Sequence, residues 1–206
     1  MGPVPMSDSL VSRWPLTVGL PVRDELLASY GDAARGYHDL LHLTEVLDRL
    51  DELAASGCAF ARVPVLLAAW FHDGVYDGLP GDEDRSAAWA ERTLPGLVSD
   101  RVTAEVARLV RLTERHRPSP GDADGEALCD ADLAILAADP GRYASYVADV
   151  RRDFAHVPDG DFAVGRAAVL RDLLAKPTLF HTAAGRDRWE AAARANVTAE
   201  LGRLGA

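Results

Sequence analysis

Apolar residues recur along this chain at spacings of three and four, the period of helices that bury one face. Strict alternation, the mark of a half-buried strand, is absent from every long segment. From residue 38 to about 55, Leu43, Val46, Leu47, Leu50 and Ala54 form such a stripe, and Gly57 stops it. Residues 64–71 behave differently. Pro64 opens a helix that the run Val65 to Phe71 leaves apolar on all sides, so it belongs at the centre of a domain. Further helices are expected at 21–30, 84–94, 99–116, 126–138, 140–154, 161–175 and 188–204, with a surface loop of prolines and glycines at 117–125. The reading is an all-α single domain over 21–206, a bundle of about eight or nine helices, preceded by a loose tail at 1–20.

Composition narrows the partners. The chain has 206 residues, 48% of them hydrophobic and 26% charged, enough for a substantial core without covalent staples. Its net charge of −10 argues against a broad grip on nucleic acid. Two cysteines, Cys58 and Cys129, lack a CxxC spacing and read as buried thiols in a reducing compartment. No apolar run approaches the roughly 20 residues of a membrane span, and the N-terminus lacks the pattern of a secretory signal. A cytoplasmic protein without membrane contact is expected. The amphipathic last helix is free to pack on its own core or on a second copy, so a homo-oligomer stays open.

Three strings carry chemistry. Tyr37-His38-Asp39-Leu40-Leu41-His42 puts two imidazoles four residues apart, one turn above each other if the helix begins at His38. Trp70-Phe71-His72-Asp73 sets an adjacent His-Asp pair at the end of the most apolar helix, where such groups are costly unless something binds them. Asp130-Ala131-Asp132 lies between apolar residues, so one carboxylate faces inward, and periodicity does not choose which. Imidazoles and carboxylates gathered in this way suit a divalent metal: Mn, Fe, Co, Ni or Zn, and Mg less well. The plain alternatives are surface histidines, a histidine on a helix dipole and a solvated acidic turn.

The ordered set His, His-Asp, Asp resembles the signature of the HD superfamily of metal-dependent phosphohydrolases. Arg35-Gly36-Tyr37-His38 followed by His42 is similar to the R-x-Y-H-x-x-x-H string of one bacterial group of predicted HD phosphohydrolases. Trp70 to Asp77 is similar to its W-F-H-D-x-V-Y-D string, Ser86-Ala87 to the end of its N-E-x-x-S-A string, and Asp130 to Leu133 to its D-A-D-L string. Tyr143, Tyr146, Arg151 and Arg194-Ala195-Asn196 also fit, so the resemblance runs from about Arg35 to Leu201.

The resemblance implies an all-helical fold and a metal held by His42, His72, Asp73 and Asp132, with Asp130 as an outer acceptor or a cap. It implies hydrolysis of a nucleotide or other small phosphate ester by a metal-activated water, and it does not name the substrate. In that reading Asp73 also accepts a proton, His38 donates one or stands behind the metal, and Arg35 clamps phosphate. His116 is a candidate for a second metal or the substrate, its alternative being a surface histidine among Arg111, Arg115 and Arg117. Glu83 is a candidate to hold a water or pair with Arg35. One departure stands out: Asp82 replaces the Asn of the family-like string, which disfavours phosphate there if that side chain meets substrate. Two other functions compete. One is a regulatory module that binds a nucleotide or metal with little turnover. The other is a di-iron oxygenase, which needs His38 and His116 as further ligands.

Overall fold

A computed structural model describes residues 6–205. Among them the chain is all-helical, with ten α-helices and no strand. Residues 6–11 form α1, 20–30 α2, 40–55 α3, 62–71 α4, 82–93 α5, 100–112 α6, 123–133 α7, 140–153 α8, 159–175 α9 and 183–203 α10, and a short 3-10 turn at 134–137 follows α7. No helix among the described residues is long and apolar enough to cross a membrane.

The helix ends follow local chemistry. Ser99, Asp122, Asp139 and Thr182 each cap the helix that follows by accepting from a backbone N–H of its first turn. Pro21 and Pro140 sit in the first turns of α2 and α8, where their missing N–H costs nothing. Helix α4 is the central element, as its composition predicts: every residue from Val65 to Phe71 is buried. It packs on α3, α6 and α7, and α5 lies against α6. The last helix turns its buried residues Trp189, Ala193 and Val197 to its own chain, against the 3-10 turn and α9.

The segment expected as a loose tail is largely docked. Leu10 of α1 is fully buried, and Trp14 meets Trp70 edge-on with ring centroids 5.2 Å apart. Arg13 pairs with Asp48 and Asp51 on α3. Two large apolar side chains anchor residues 9–14 where no helical period is long enough to announce it. The first five residues of that expected tail lie outside the described residues.

A second correction concerns α3. It begins at Leu40, because the Asp39 side chain accepts from the backbone N–H of Leu41 at 2.8 Å and of His42 at 3.2 Å. His38 therefore precedes the cap, and its side chain is not stacked one helical turn from His42.

Candidate metal centre

Three segments meet at the centre of the fold. His42 comes from the first turn of α3, His72 and Asp73 from the end of α4, and Asp132 from the last turn of α7. The rings of His42 and His72 are each 1% exposed. Their Nε2 atoms face each other at 3.0 Å. The Asp73 Oδ2 lies 3.2 Å from His42 Nε2 and 3.0 Å from His72 Nε2. The Asp132 Oδ1 lies 3.3 Å and 3.7 Å from the same two nitrogens. Ligand bonds of about 2.1 Å at right angles put neighbouring donors about 3.0 Å apart, the spacing these atoms approach. His42, His72 and Asp73 form a group able to hold a metal ion, and Asp132 Oδ1 closes on the same two nitrogens.

The imidazoles are set up to donate lone pairs inward. The Nδ1 of His72 lies 2.8 Å from the Ala69 carbonyl oxygen, which can only accept, so Nδ1 carries the proton and Nε2 is left for the cluster. Two neutral imidazole nitrogens at 3.0 Å repel unless a proton or a cation lies between them. Charges confirm the demand. Burial opposes protonation of His42, yet hydrogen bonds to Asp132 and Asp73 outweigh it and the ring is pushed up to about 10. Burial likewise opposes charging of His72, and the carboxylates of Asp73 and Asp132 raise it. Against their own burial, Asp73 and Asp132 are held well down, by His72 foremost. The carboxylates favour positive charge beside them, which ring protons supply in the absence of an ion and a divalent ion would supply in their place. His42 Nδ1 is buried without a protein partner, and the residue borders a hollow of about 450 Å³ that Glu45 and Arg142 also line.

Asp130 and Asp132, two residues apart, point in opposite senses. The Asp130 carboxylate is fully buried and accepts from His181 N at 2.7 Å, Thr182 N at 2.8 Å and Thr182 Oγ1 at 2.7 Å. It anchors the start of α10 and makes no hydrogen bond to His42 or His72. Replacing Asp130 by alanine strands two buried backbone donors and should lower unfolding free energy by about 3 kcal/mol. Urea titration reads the loss, and metal content should stay at the wild-type level.

His116 faces the site and is no surface member of a basic cluster. Arg111 pairs with Asp84 and Glu91, and Arg117 pairs with Asp172, while His116 Nε2 reaches Asp132 Oδ2 at 2.8 Å. It adopts a left-handed backbone, φ 49°, a conformation that costs a non-glycine residue energy and clusters at functional sites. His38 also reaches the site, but its Nδ1 is held 2.8 Å from Asp153 Oδ2 and its ring stacks on Tyr76 at 3.7 Å. Asp153 further accepts from the N–H groups of Gly36 and Tyr37. A Cβ at Gly36 would collide with the Asp149 carbonyl, so only glycine permits this approach.

Arg35, the expected phosphate clamp, does not line the cavity. Its Nη1 donates to the carbonyls of His38 at 2.8 Å and Asp73 at 2.7 Å, and its Nη2 to Ser29 Oγ at 2.9 Å and Gly74 O at 3.1 Å. The guanidinium is spent on the backbone that carries the site. Glu83 borders the cavity without pairing with Arg35, and burial raises its carboxyl. Asp82 lies away from the cavity. It accepts from the N–H groups of Asp77, Gly78 and Leu79 and pairs with Arg85, so the departure from the family-like Asn shapes a loop.

The donor cluster opens on a cavity of about 570 Å³. His38, Asp73, His116 and Asp132 line its floor, and α8 and α9 supply much of the wall. The sequence offered no sign of Asp153 as the partner of His38, nor of Arg166 in the cavity wall, while Tyr146 was among the residues that fit the resemblance without an assigned place. Tyr76 lies within the quoted string that follows His72-Asp73, so its place was signalled but not its stacking role. No family model, curated protein or solved structure matches this chain.

Proposed function

We propose that this protein is a metal-dependent phosphohydrolase of the HD type, acting on a small phosphate ester. The observation that carries the reading is the convergence of His42, His72, Asp73 and Asp132, with the two carboxylates also lining a substrate-sized cavity. The order of these residues and the strings around them support the same family, and the helical fold is compatible with it. A divalent ion held there supplies a Lewis acid for a phosphoryl oxygen and lowers the pKa of a bound water. Mixed imidazole and carboxylate donors favour Mn, Fe, Co, Ni or Zn.

The protein's own groups divide the remaining work. Asp73, ionised and beside both imidazoles, is placed to accept the proton of the attacking water. Hydrolysis forms a phosphorus–oxygen bond to that water and breaks the one to the leaving alcohol. The departing oxygen needs a proton, which His38 would give from Nε2 as an imidazolium, since its Nδ1 proton is committed to Asp153. Asp153 holds its Nδ1 and Tyr76 fixes its ring plane, which leaves Nε2 for the cavity. His116 sits on the outer oxygen of Asp132 and orients that carboxylate at the edge of the cavity. Arg35 is a positioning residue, since it locks the Asp73 carbonyl and not the ester.

The test is phosphate release. Protein reconstituted with Mn or Fe should release inorganic phosphate from at least one monoester. Chelator should reduce the rate to background, and the same metal should restore it. Stoichiometric metal with no release from any ester would overturn the hydrolase reading in favour of a binding module.

A further inference from the structure

The cavity above the donor cluster has walls of unequal chemistry. One side is apolar: Ile135, Leu136, Val150, Phe154, Phe162 and Leu173 all face it. The charged side is acidic. Apart from Asp73 and Asp132 it carries Glu83, Glu114 and Asp161. Among the described residues Arg166 is the only arginine or lysine in the lining. Its charge is already compensated, because Nε lies 2.7 Å from Glu200 Oε1 and Nη2 donates to Tyr146 Oη at 2.9 Å.

Basic residues of the neighbouring segments are turned elsewhere. Arg151 donates to the carbonyls of Phe154 and Val157 and pairs with Asp159. Arg194 donates to the carbonyls of Leu174, Lys176 and Pro177. Lys176 lies on the carbonyls of Arg115 and His116. A polyphosphate needs several guanidinium or ammonium contacts beyond the metal. Here each phosphate beyond the first would meet the like charge of Glu83, Glu114 or Asp161, with Arg166 already paired. The volume of about 570 Å³ lies within the range of sites that enclose a whole small ligand.

The geometry points to a substrate with one phosphate and an apolar body: an aryl or alkyl phosphate monoester, seated with its phosphate at the donor cluster and its body against α8 and α9. This rests on the phosphohydrolase reading and gives it a substrate class. The same walls disfavour nucleoside triphosphates.

The test compares initial rates of the metal-loaded chain on 1-naphthyl phosphate, decyl phosphate, glycerol 3-phosphate and ATP. The two apolar esters should exceed glycerol 3-phosphate by about tenfold or more in kcat/KM and ATP by about a hundredfold. Val169 borders the cavity and is 54% exposed, so Val169→Lys should fold and should shrink the preference for 1-naphthyl phosphate over ATP about tenfold. A binding readout separates the two claims. Naphthyl fluorescence should report saturable binding of 1-naphthyl phosphate, weakened about tenfold in Phe162→Ser and in Val169→Lys. Binding with this mutant response but no hydrolysis of any ester would remove the hydrolase reading and keep the apolar ligand. Hydrolysis of ATP or glycerol 3-phosphate at least as fast as the apolar esters would keep the hydrolase and overturn this inference. Neither binding nor hydrolysis of the apolar esters would overturn it as well.

Discussion

Asp73→Ala should leave a folded protein that hydrolyses no phosphate ester above background. The Asp73 carboxylate is one of two that compensate the paired imidazoles, and its Oδ2 lies within 3.2 Å of both Nε2 atoms. Without it the group able to hold an ion loses its third donor. Several kcal/mol of transition-state stabilisation go with the ion, a fall of at least roughly a thousandfold in kcat/KM. The fold should survive because the main chain at this position is held independently of the side chain. Tyr30 Oη lies 3.2 Å from the Asp73 N–H, and Arg35 donates to its carbonyl at 2.7 Å. Phosphate release and circular dichroism together check the prediction. Wild-type turnover in this variant would remove Asp73 from the chemistry.

The second large effect is on stability. Glu200 is 2% exposed in the last turn of α10, where a buried charge is costly unless paired. Arg166 of α9 reaches it from Nε at 2.7 Å, and the Tyr143 hydroxyl donates to its other oxygen. Arg166 also donates to the Tyr146 hydroxyl at 2.9 Å, so α8, α9 and α10 share one buried network behind the cavity. Glu200→Ala leaves the guanidinium without a counter-charge and should cost about 3–5 kcal/mol. For a chain of this size that is a fall in Tm of about 10 °C. Glu200→Gln, which keeps hydrogen bonds and loses the charge, should fall between. A calorimetric Tm within about 2 °C of wild type for Glu200→Ala would mean that the arginine reaches water through the cavity instead.

The donor set was readable from the chain because each member carries its own local signal. His72-Asp73 ends an all-apolar helix, and Asp130-Ala131-Asp132 sits between apolar residues. The choice within the last pair was not readable from periodicity. Residues two apart on a helix point about 200° apart, so one of them had to face away, and only the phase of α7 decides which. Asp132 meets the histidines and Asp130 holds the start of α10. Asp82 was readable as a departure but not as a loop anchor, because its three N–H partners follow from a turn no motif describes.

Long-range pairing was out of reach altogether. Asp153 lies at the end of α8 with no motif around it, yet it fixes His38 and the Gly36 turn. Arg35 looked like a phosphate ligand from its chemistry alone. Its role was decided by the carbonyls that happen to surround it, those of His38, Asp73 and Gly74. Leu10 and Trp14 were assigned to a tail because a helix of six residues is too short to show a period. The helix positions were otherwise legible to within a few residues, since capping and proline chemistry are local.

The claim at the centre of this account is that His42, His72, Asp73 and Asp132 hold one divalent ion. The most direct measurement is metal content per chain, with X-ray absorption at the edge of whichever metal is found, on wild type and Asp73→Ala purified without chelator. About one Mn, Fe, Co, Ni or Zn per wild-type chain, ligated by imidazole nitrogen and carboxylate oxygen and absent from the variant, is the predicted result. No metal in wild type after soaking, or equal metal in both proteins, would contradict it.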